Sequence, residues 1–392
     1  MNLDISPEDR MFRTEVRQFI EGHLTPQMRE GSLATSGSYP DPRVGIPWQQ
    51  ALNRRGWLAP LWPREYGGTG WSGLQRFIFE NECALAGAPL LHPMGIRFVG
   101  PVIIKYGTPD QKARFLPRIL SSEDYWCQGF SESGAGSDLA NLSLSARREG
   151  DAYVLQGSKM WTTNAHHANW MFALVRTSRE AKPQEGISFL LIDMRSEGVS
   201  VRPISTIGGD HDVNEVFFDG TRVPVTQRIG EEGQGWACAK YLLEFERGAG
   251  VFAPRLRSQL KRVCLAIPEA HDLAPGVLAR LGEITSALDA FEWLELRTLA
   301  ALAPGGSPGP VSSLLKLRSS RLKQDIAQLG LDLLGEAALR WRSDSLFASE
   351  PNRLAGILVP DYCNSRAYTI FGGAAEVQLN LIARMMLSHS RS

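Results

Sequence analysis

The chain has 392 residues, 42 basic against 42 acidic side chains, and 43% hydrophobic residues. Its length exceeds one typical core and predicts two or three domains, and the balanced charge leaves no basic stripe for nucleic acid or an anionic membrane. No apolar run reaches the roughly 18 residues of a membrane span, and Cys83, Cys127, Cys238, Cys264 and Cys363 form neither a CxxC metal pair nor a disulfide framework.

In chain order, residues 1–121 read as helical. MNLDISPEDRMFRTEV mixes acids and bases and lacks the apolar core of a signal peptide, so a cytoplasmic location is expected. Ser6, Pro7, Glu8 and Asp9 supply an N-cap, a proline at the first helical position and acids in the first turn. Phe12, Val16, Phe19, Ile20 and Leu24 then recur at helical spacing. Thr108 and Gln111 form a capping box before KARFLPRIL.

Residues 122–231 switch to short strands. DAYVLQGSKMW, NWMFALVRT, GISFLLIDM, GVSVRPI and VNEVFFDG are separated by glycine, proline and charged turns. LSARREGDAYVL reads as a hairpin turning at Glu149, Gly150 and Asp151, and the block as a β-barrel or sandwich. Helical periodicity returns over residues 232–392, broken by the loop PGGSPGP at 304–310, which predicts an antiparallel bundle.

The densest motif is WCQGFSESGAGSDLA, residues 126–140. Ser131, Gly134, Gly136 and Ser137 offer backbone N–H groups and hydroxyls that suit a phosphate or a heterocycle edge. A plain glycine-rich turn explains the composition equally well. The GxGxxG spacing of a dinucleotide fold and the GK[ST] ending of a P-loop are missing. In GSKMWTTNAHHANW, Trp161, Thr162 and Thr163 fall at a strand end, where an aromatic ring and hydroxyls can border a planar cofactor or pack in a core. His166 and His167 lack metal-ligand spacing and read as loop residues, and His211 reads as structural. No GxSxG or HExxH motif occurs. In LLEFERGAG, Glu246 lies one helical turn after Leu242 and Leu243, as a salt-bridged helix residue or as a carboxylate set in an apolar pocket.

FSESGAGSDLA, GSKMWTTNA, VNEVFFDGTRVP followed by IGEEGQGW, the Glu246–Arg247 pair and GGAAEVQLNLIARMML occur in one order. Together they resemble the acyl-CoA dehydrogenase family over nearly the whole chain. Within it, WCQGFSE, QEGISFLLIDM and HDVNEVFFDGTRVPV are most similar to the pimeloyl-CoA dehydrogenase large-subunit group and related bacterial acyl-CoA dehydrogenases. The resemblance implies an α+β fold: an N-terminal helical domain, a middle β-barrel and a C-terminal four-helix bundle. FAD would lie between barrel and bundle, with an acyl-CoA thioester beside it.

Carried over by position, Gln128, Phe130 and Ser131 line the flavin edge, and Gly136 and Ser137 meet the pyrophosphate and CoA. Trp161 and Thr163 cover the isoalloxazine, and Gly372, Gly373 and Glu376 complete the cofactor set. Ser137, Glu244, Arg247 and Arg97 are assigned to substrate. Many members place the catalytic glutamate where this chain has Gly372. Another branch, including isovaleryl- and long-chain enzymes, uses the ER pair, which makes Glu246 the expected base. Arg97 is expected either to face solvent or to pair with the distal carboxylate of a dicarboxylyl-CoA.

Three departures stand out. Ser133 replaces a usual proline, Ala374 and Ala375 replace polar residues, and the arginine and glutamine-glycine signature for a neighbour's FAD adenosine is absent. The resemblance therefore implies a homo- or heterotetramer, in the latter case with a paralogous subunit, and electron-transfer flavoprotein as acceptor. A non-catalytic subunit and a flavin oxidase are the alternatives.

Overall fold

A computed structural model describes residues 6–35, 37–248, 251–265, 273–301, 311–340 and 350–389. Helices come first: α1 (Pro7–His23), α2 (Pro26–Leu33), α3 (Pro42–Arg55), α4 (Gly73–Leu85), a π-helical turn Met94–Val99, α5 (Gly100–Tyr106) and α6 (Pro109–Leu120). α1 begins where its cap predicts, since Ser6 Oγ accepts the Asp9 N–H at 3.1 Å, and it buries Val16, Phe19 and Ile20. The Thr108 capping box is reciprocal, at 2.9 and 3.2 Å. Gln111 does more than cap: its Nε2 also donates to the carbonyls of Thr226 and Arg228, each at 2.8 Å, tying α6 to the strand block.

The π-helical turn was not expected from the sequence. Its carbonyl at Ile96 accepts Trp62 Nε1–H at 2.6 Å, a contact made across 34 residues. A Cβ at Gly100 would fall 2.2 Å from the Trp62 ring, so that approach requires glycine. Such widened turns concentrate at functional sites.

Eight strands follow: β1 (Trp126–Gly129), β2 (Ser145–Glu149), β3 (Ala152–Thr163), β4 (Trp170–Arg176), β5 (Ile187–Asp193), β6 (Val199–Ile204), β7 (Val213–Pro224) and β8 (Arg228–Ile229). They form one sheet in the order β6-β7-β3-β2-β4-β5-β8, with β1 parallel to β4. The β2–β3 hairpin turns through Gly150 at φ +63°. β4 and β5 are buried along almost their whole length, which explains their unbroken apolar runs. Alternate residues serve two cores: Phe172, Leu174, Phe189 and Leu191 face the helices, while Met171, Ala173, Leu190 and Ile192 fill the other face.

The C-terminal part comprises α7 (Gly235–Gly248), α8 (Ala253–Cys264), α9 (Pro275–Ala301), α10 (Val311–Leu334), α11 (Glu350–Ser365) and α12 (Ala375–His389). α10 packs against each of the other five. Its Leu315, Leu322, Ile326 and Leu329 meet Val263, Leu288, Phe291 and Leu358. Buried Asp361 accepts from Gln259 Nε2 at 2.7 Å, Lys323 Nζ at 2.9 Å and Arg262 Nη2 at 3.2 Å, pinning α8, α10 and α11 together. The PGGSPGP segment lies outside the described residues. Among the described residues no helix is long and apolar enough to cross a membrane.

Candidate active site

The glycine-rich turn after β1 is anchored from beneath. Glu132 and Ala135 exchange backbone hydrogen bonds at 3.1 Å, closing the turn without a proline at 133. The Glu132 carboxylate is buried and accepts from Lys159 Nζ at 2.7 Å, Ser143 N at 2.6 Å, Ser143 Oγ at 2.7 Å and Leu144 N at 2.9 Å. Burial alone would raise this carboxyl, but the Lys159 charge and these bonds outweigh it and hold it below the usual range. Lys159 Nζ also donates to the Phe130 carbonyl at 3.1 Å, and Met160 N–H to the Ser131 carbonyl at 2.8 Å. These contacts bring the turn alongside β3.

On that scaffold Gly134, Gly136 and Ser137 are exposed. A Cβ at Gly134 or Gly136 would meet nothing within 4 Å, and neither has a positive φ, so this chain's own packing does not require glycine there. Open backbone of that kind suits the close approach of a phosphate.

Trp161 lies on β3. The register of β3 against β7 slips between Lys159 and Thr162, a bulge that turns Trp161 outward. Trp161 is 60% exposed and sits at φ +61°, a conformation costly for a bulky residue. Thr163, half-buried, pairs with Val213 two residues on. Beyond it Asn164, at φ +55°, donates to Tyr125 Oη at 3.2 Å. His166 stacks on His211 at 4.1 Å, and Asn214 bonds both rings, at 3.1 and 2.7 Å.

The structure thus sets Ser131 against Met160, the neighbour of Trp161, and packs β1, which carries Gln128, against β3, which carries Trp161 and Thr163. The Phe130 ring is buried edge-on against Phe172 and Phe189, so what this residue can offer a ligand is its backbone.

Glu246 and Arg247 lie in the last turn of α7, and their side chains fall outside the described residues. Upstream, Leu242 is fully buried, Leu243 and Phe245 are half-buried, and Glu244 is exposed. α7 packs on β4, β5 and the π-helical turn. Gly372 and Gly373 occupy a separate turn before α12, at φ +64° and +94°, with Glu376 exposed in the helix's first turn. Ser320 Oγ on α10 donates to the Tyr368 carbonyl at 3.0 Å and so steadies the approach to that turn.

Arg97 does not face solvent. It is largely buried and ion-paired with Glu80, whose other oxygen meets Arg255 Nη2 at 3.3 Å. A distal carboxylate would therefore have to compete with Glu80. Sequence reasoning missed Glu132, Lys159 and Glu80 as members of these networks. The signal was a lysine in the inward phase of an alternating strand.

The anchored glycine turn, the outturned tryptophan and the hydroxyl at the strand end form a donor set that fits a flavin nucleotide. With the helix–sheet–helix order they define a flavoprotein oxidoreductase class. The acyl-CoA dehydrogenase N-terminal, middle and C-terminal domain families match residues 6–123, 127–221 and 233–387. The chain belongs to the acyl-CoA dehydrogenase family, whose members are FAD-dependent oxidoreductases. It is 35% identical over 405 aligned residues to acyl-CoA dehydrogenase IpdE1 of Mycolicibacterium smegmatis, covering 98% of each chain. Its fold matches a structure described as the Tcur3481-Tcur3483 steroid ACAD with a TM-score of 0.85, at 30% identity over 99% of each chain. It also matches the ChsE4-ChsE5 complex from Mycobacterium tuberculosis with a TM-score of 0.83, at 32% identity over 99% of each chain.

Proposed function

We propose that the chain oxidises an acyl-CoA thioester to the trans-2-enoyl-CoA, with Glu246 as the base that takes the α-proton. The observation that carries this reading is a contrast between two positions. Position 372 is a glycine at φ +64° and has no proton acceptor, whereas α7 runs from fully buried Leu242 toward Glu246. When bound, FAD supplies the hydride-accepting chemistry.

The residues of the chain do the rest. Gln128, Ser131 and Thr163 offer polar contacts along the cofactor edge, Trp161 covers its plane, and Gly136 and Ser137 receive phosphate. The Gly372 N–H polarises the thioester carbonyl. A carboxylate of ordinary pKa, about 4.3, is a weak base for a carbon acid, so a dry pocket must raise its basicity. Leu242, Leu243 and Phe245 provide apolar surroundings on the same helix. The relatives support acyl groups ranging from fatty chains to steroid-derived rings. A dicarboxylic acyl group that used Arg97 would have to share that guanidinium with Glu80.

A second subunit is part of the proposal. The absent adenosine signature and the two-component names of the Tcur3481-Tcur3483 and ChsE4-ChsE5 neighbours support a heteromer in which a paralogue completes the FAD site. Electron-transfer flavoprotein is the proposed acceptor. Glu246→Gln keeps shape while removing the proton acceptor, and loss of a general base typically costs about 10²–10⁴ in rate. Anaerobic mixing should show flavin reduction slowed by that factor, with flavin content and ligand binding retained. Reduction at the wild-type rate would remove Glu246 from the mechanism. Transfer of the carboxylate by Gly372→Glu is a poor complement, because a Cβ at φ +64° costs roughly 1–2 kcal/mol.

A further inference from the structure

A small cavity lies where α4 meets the π-helical turn. It encloses about 20 Å³, with Leu58 and Phe79 on its apolar side and Arg76, Glu80, His92 and Arg97 on its polar side. That volume holds one water-sized group. His92 is 6% exposed, and its Nε2 is buried without a hydrogen-bond partner among the described residues. The ring is stacked on Tyr125 at 4.3 Å and meets the Tyr39 edge at 5.3 Å, so it is held in place. Buried polar atoms are nearly always paired, and an orphan in a lined cavity calls for a ligand atom or a water.

We propose, resting on the acyl-CoA reading above, that this cavity receives a single neutral oxygen, a hydroxyl or ketone, carried on the acyl group remote from the thioester. Glu80 is shared by Arg97 and Arg255, and the Arg76 guanidinium lines the cavity as well. What argues for a single neutral oxygen is the space, which a carboxylate exceeds, and the unpaired His92 Nε2. A neutral imidazole either donates or accepts at Nε2 according to its tautomer, and so serves a hydroxyl or a ketone. Burial, and after it the His167 charge, push His92 down to about 3, which keeps the ring neutral.

Placement supports the role. The cavity wall at Ile96 and Arg97 belongs to the turn that packs on α7, which carries Glu246, and on β1, which carries Gln128. Through Glu80 the wall reaches Arg255 in the first turn of α8, directly after the Glu246 segment. The site would select ring-bearing or hydroxylated acyl groups over plain alkyl chains.

The test uses unreactive thioether probes on the assembled, flavin-loaded enzyme, so that binding is read without turnover. Calorimetry compares S-octyl-CoA with the 5-, 6-, 7- and 8-hydroxyoctyl and the 7-carboxyheptyl thioethers. At least one hydroxy isomer should bind about tenfold tighter than S-octyl-CoA, as expected for filling a buried polar vacancy. His92→Phe keeps the stacking and should abolish that preference with S-octyl-CoA affinity unchanged, while His92→Gln should restore part of it. Leu61→Phe, which fills the cavity, should also abolish it. If no hydroxy isomer gains, if His92→Phe weakens all probes alike, or if the carboxylate probe binds tightest, the inference is overturned and the cavity holds water. If no thioether binds at all, the acyl-CoA reading itself fails.

Discussion

Lys159 has no exposed surface and yet carries an ammonium, a choice that makes sense only through Glu132. Removing one partner of such a pair leaves the other charge buried and uncompensated, which costs about 3–5 kcal/mol. Lys159→Met should therefore lower unfolding stability by that amount in urea titration, and Lys159→Met with Glu132→Gln should recover much of it. If the single variant unfolds like wild type, the pair does not anchor the glycine turn. Trp161 and Thr163 are singled out by the family resemblance, since aromatic and hydroxyl residues at a strand end fit a core equally well. The sequence could not reveal that Trp161 sits on a bulge at positive φ, since the slip depends on how β7 pairs with β3. That Arg97 is largely buried instead of facing solvent was hidden for a related reason. Burial of an arginine depends on a partner, and Glu80 sits 17 residues away on another helix.

At the level of elements, caps were the most readable feature, because Ser6 and Thr108 act on backbone only three residues away. The start of α8 shows what stays hidden. Glu295, in the middle of α9, looks like an ordinary charged helix residue in FEWLELRTLA. It is 1% exposed and accepts the N–H groups of Phe252 and Ala253 at 2.7 and 3.0 Å, fixing the segment that follows Glu246. Burial raises its carboxyl from 4.5 to about 7, against the pull of those two bonds and with a further push from Glu80. Between those values the folded chain holds a proton that the unfolded chain has released. Stability from this group is thus largest at acid pH and falls as pH rises through about 7, by about 3 kcal/mol in total. Glu295→Gln cannot titrate. Its stability relative to wild type should rise by that amount between about pH 4.5 and 7.5 in denaturant unfolding. A pH-independent difference would mean that Glu295 is already ionised in the fold.

On the scale of the whole chain, the order of helices, strands and helices was legible because the hydrophobic period changes from about 3.6 to 2 and back. The role of α10 as the hub of the bundle was not. It rests on contacts from every side, and on Asp361 joining residues about a hundred positions apart. One surface points beyond the single chain. Ile370 and Met386 are 70% and 67% exposed, and Phe371, Leu379 and Leu387 are exposed with them, around the Gly372 turn and along α12. Apolar clusters of this kind are usually covered by a partner. That supports the two-subunit assembly in which the missing adenosine contacts come from a paralogue. The most direct test is to express the chain with the proposed paralogous subunit, isolate the flavin-loaded assembly, and mix it anaerobically with fatty and steroid-derived acyl-CoA thioesters. The account predicts loss of the visible flavin absorbance with one trans-2-enoyl-CoA formed per flavin reduced. A flavin-loaded assembly that binds these thioesters and stays fully oxidised with all of them would contradict it.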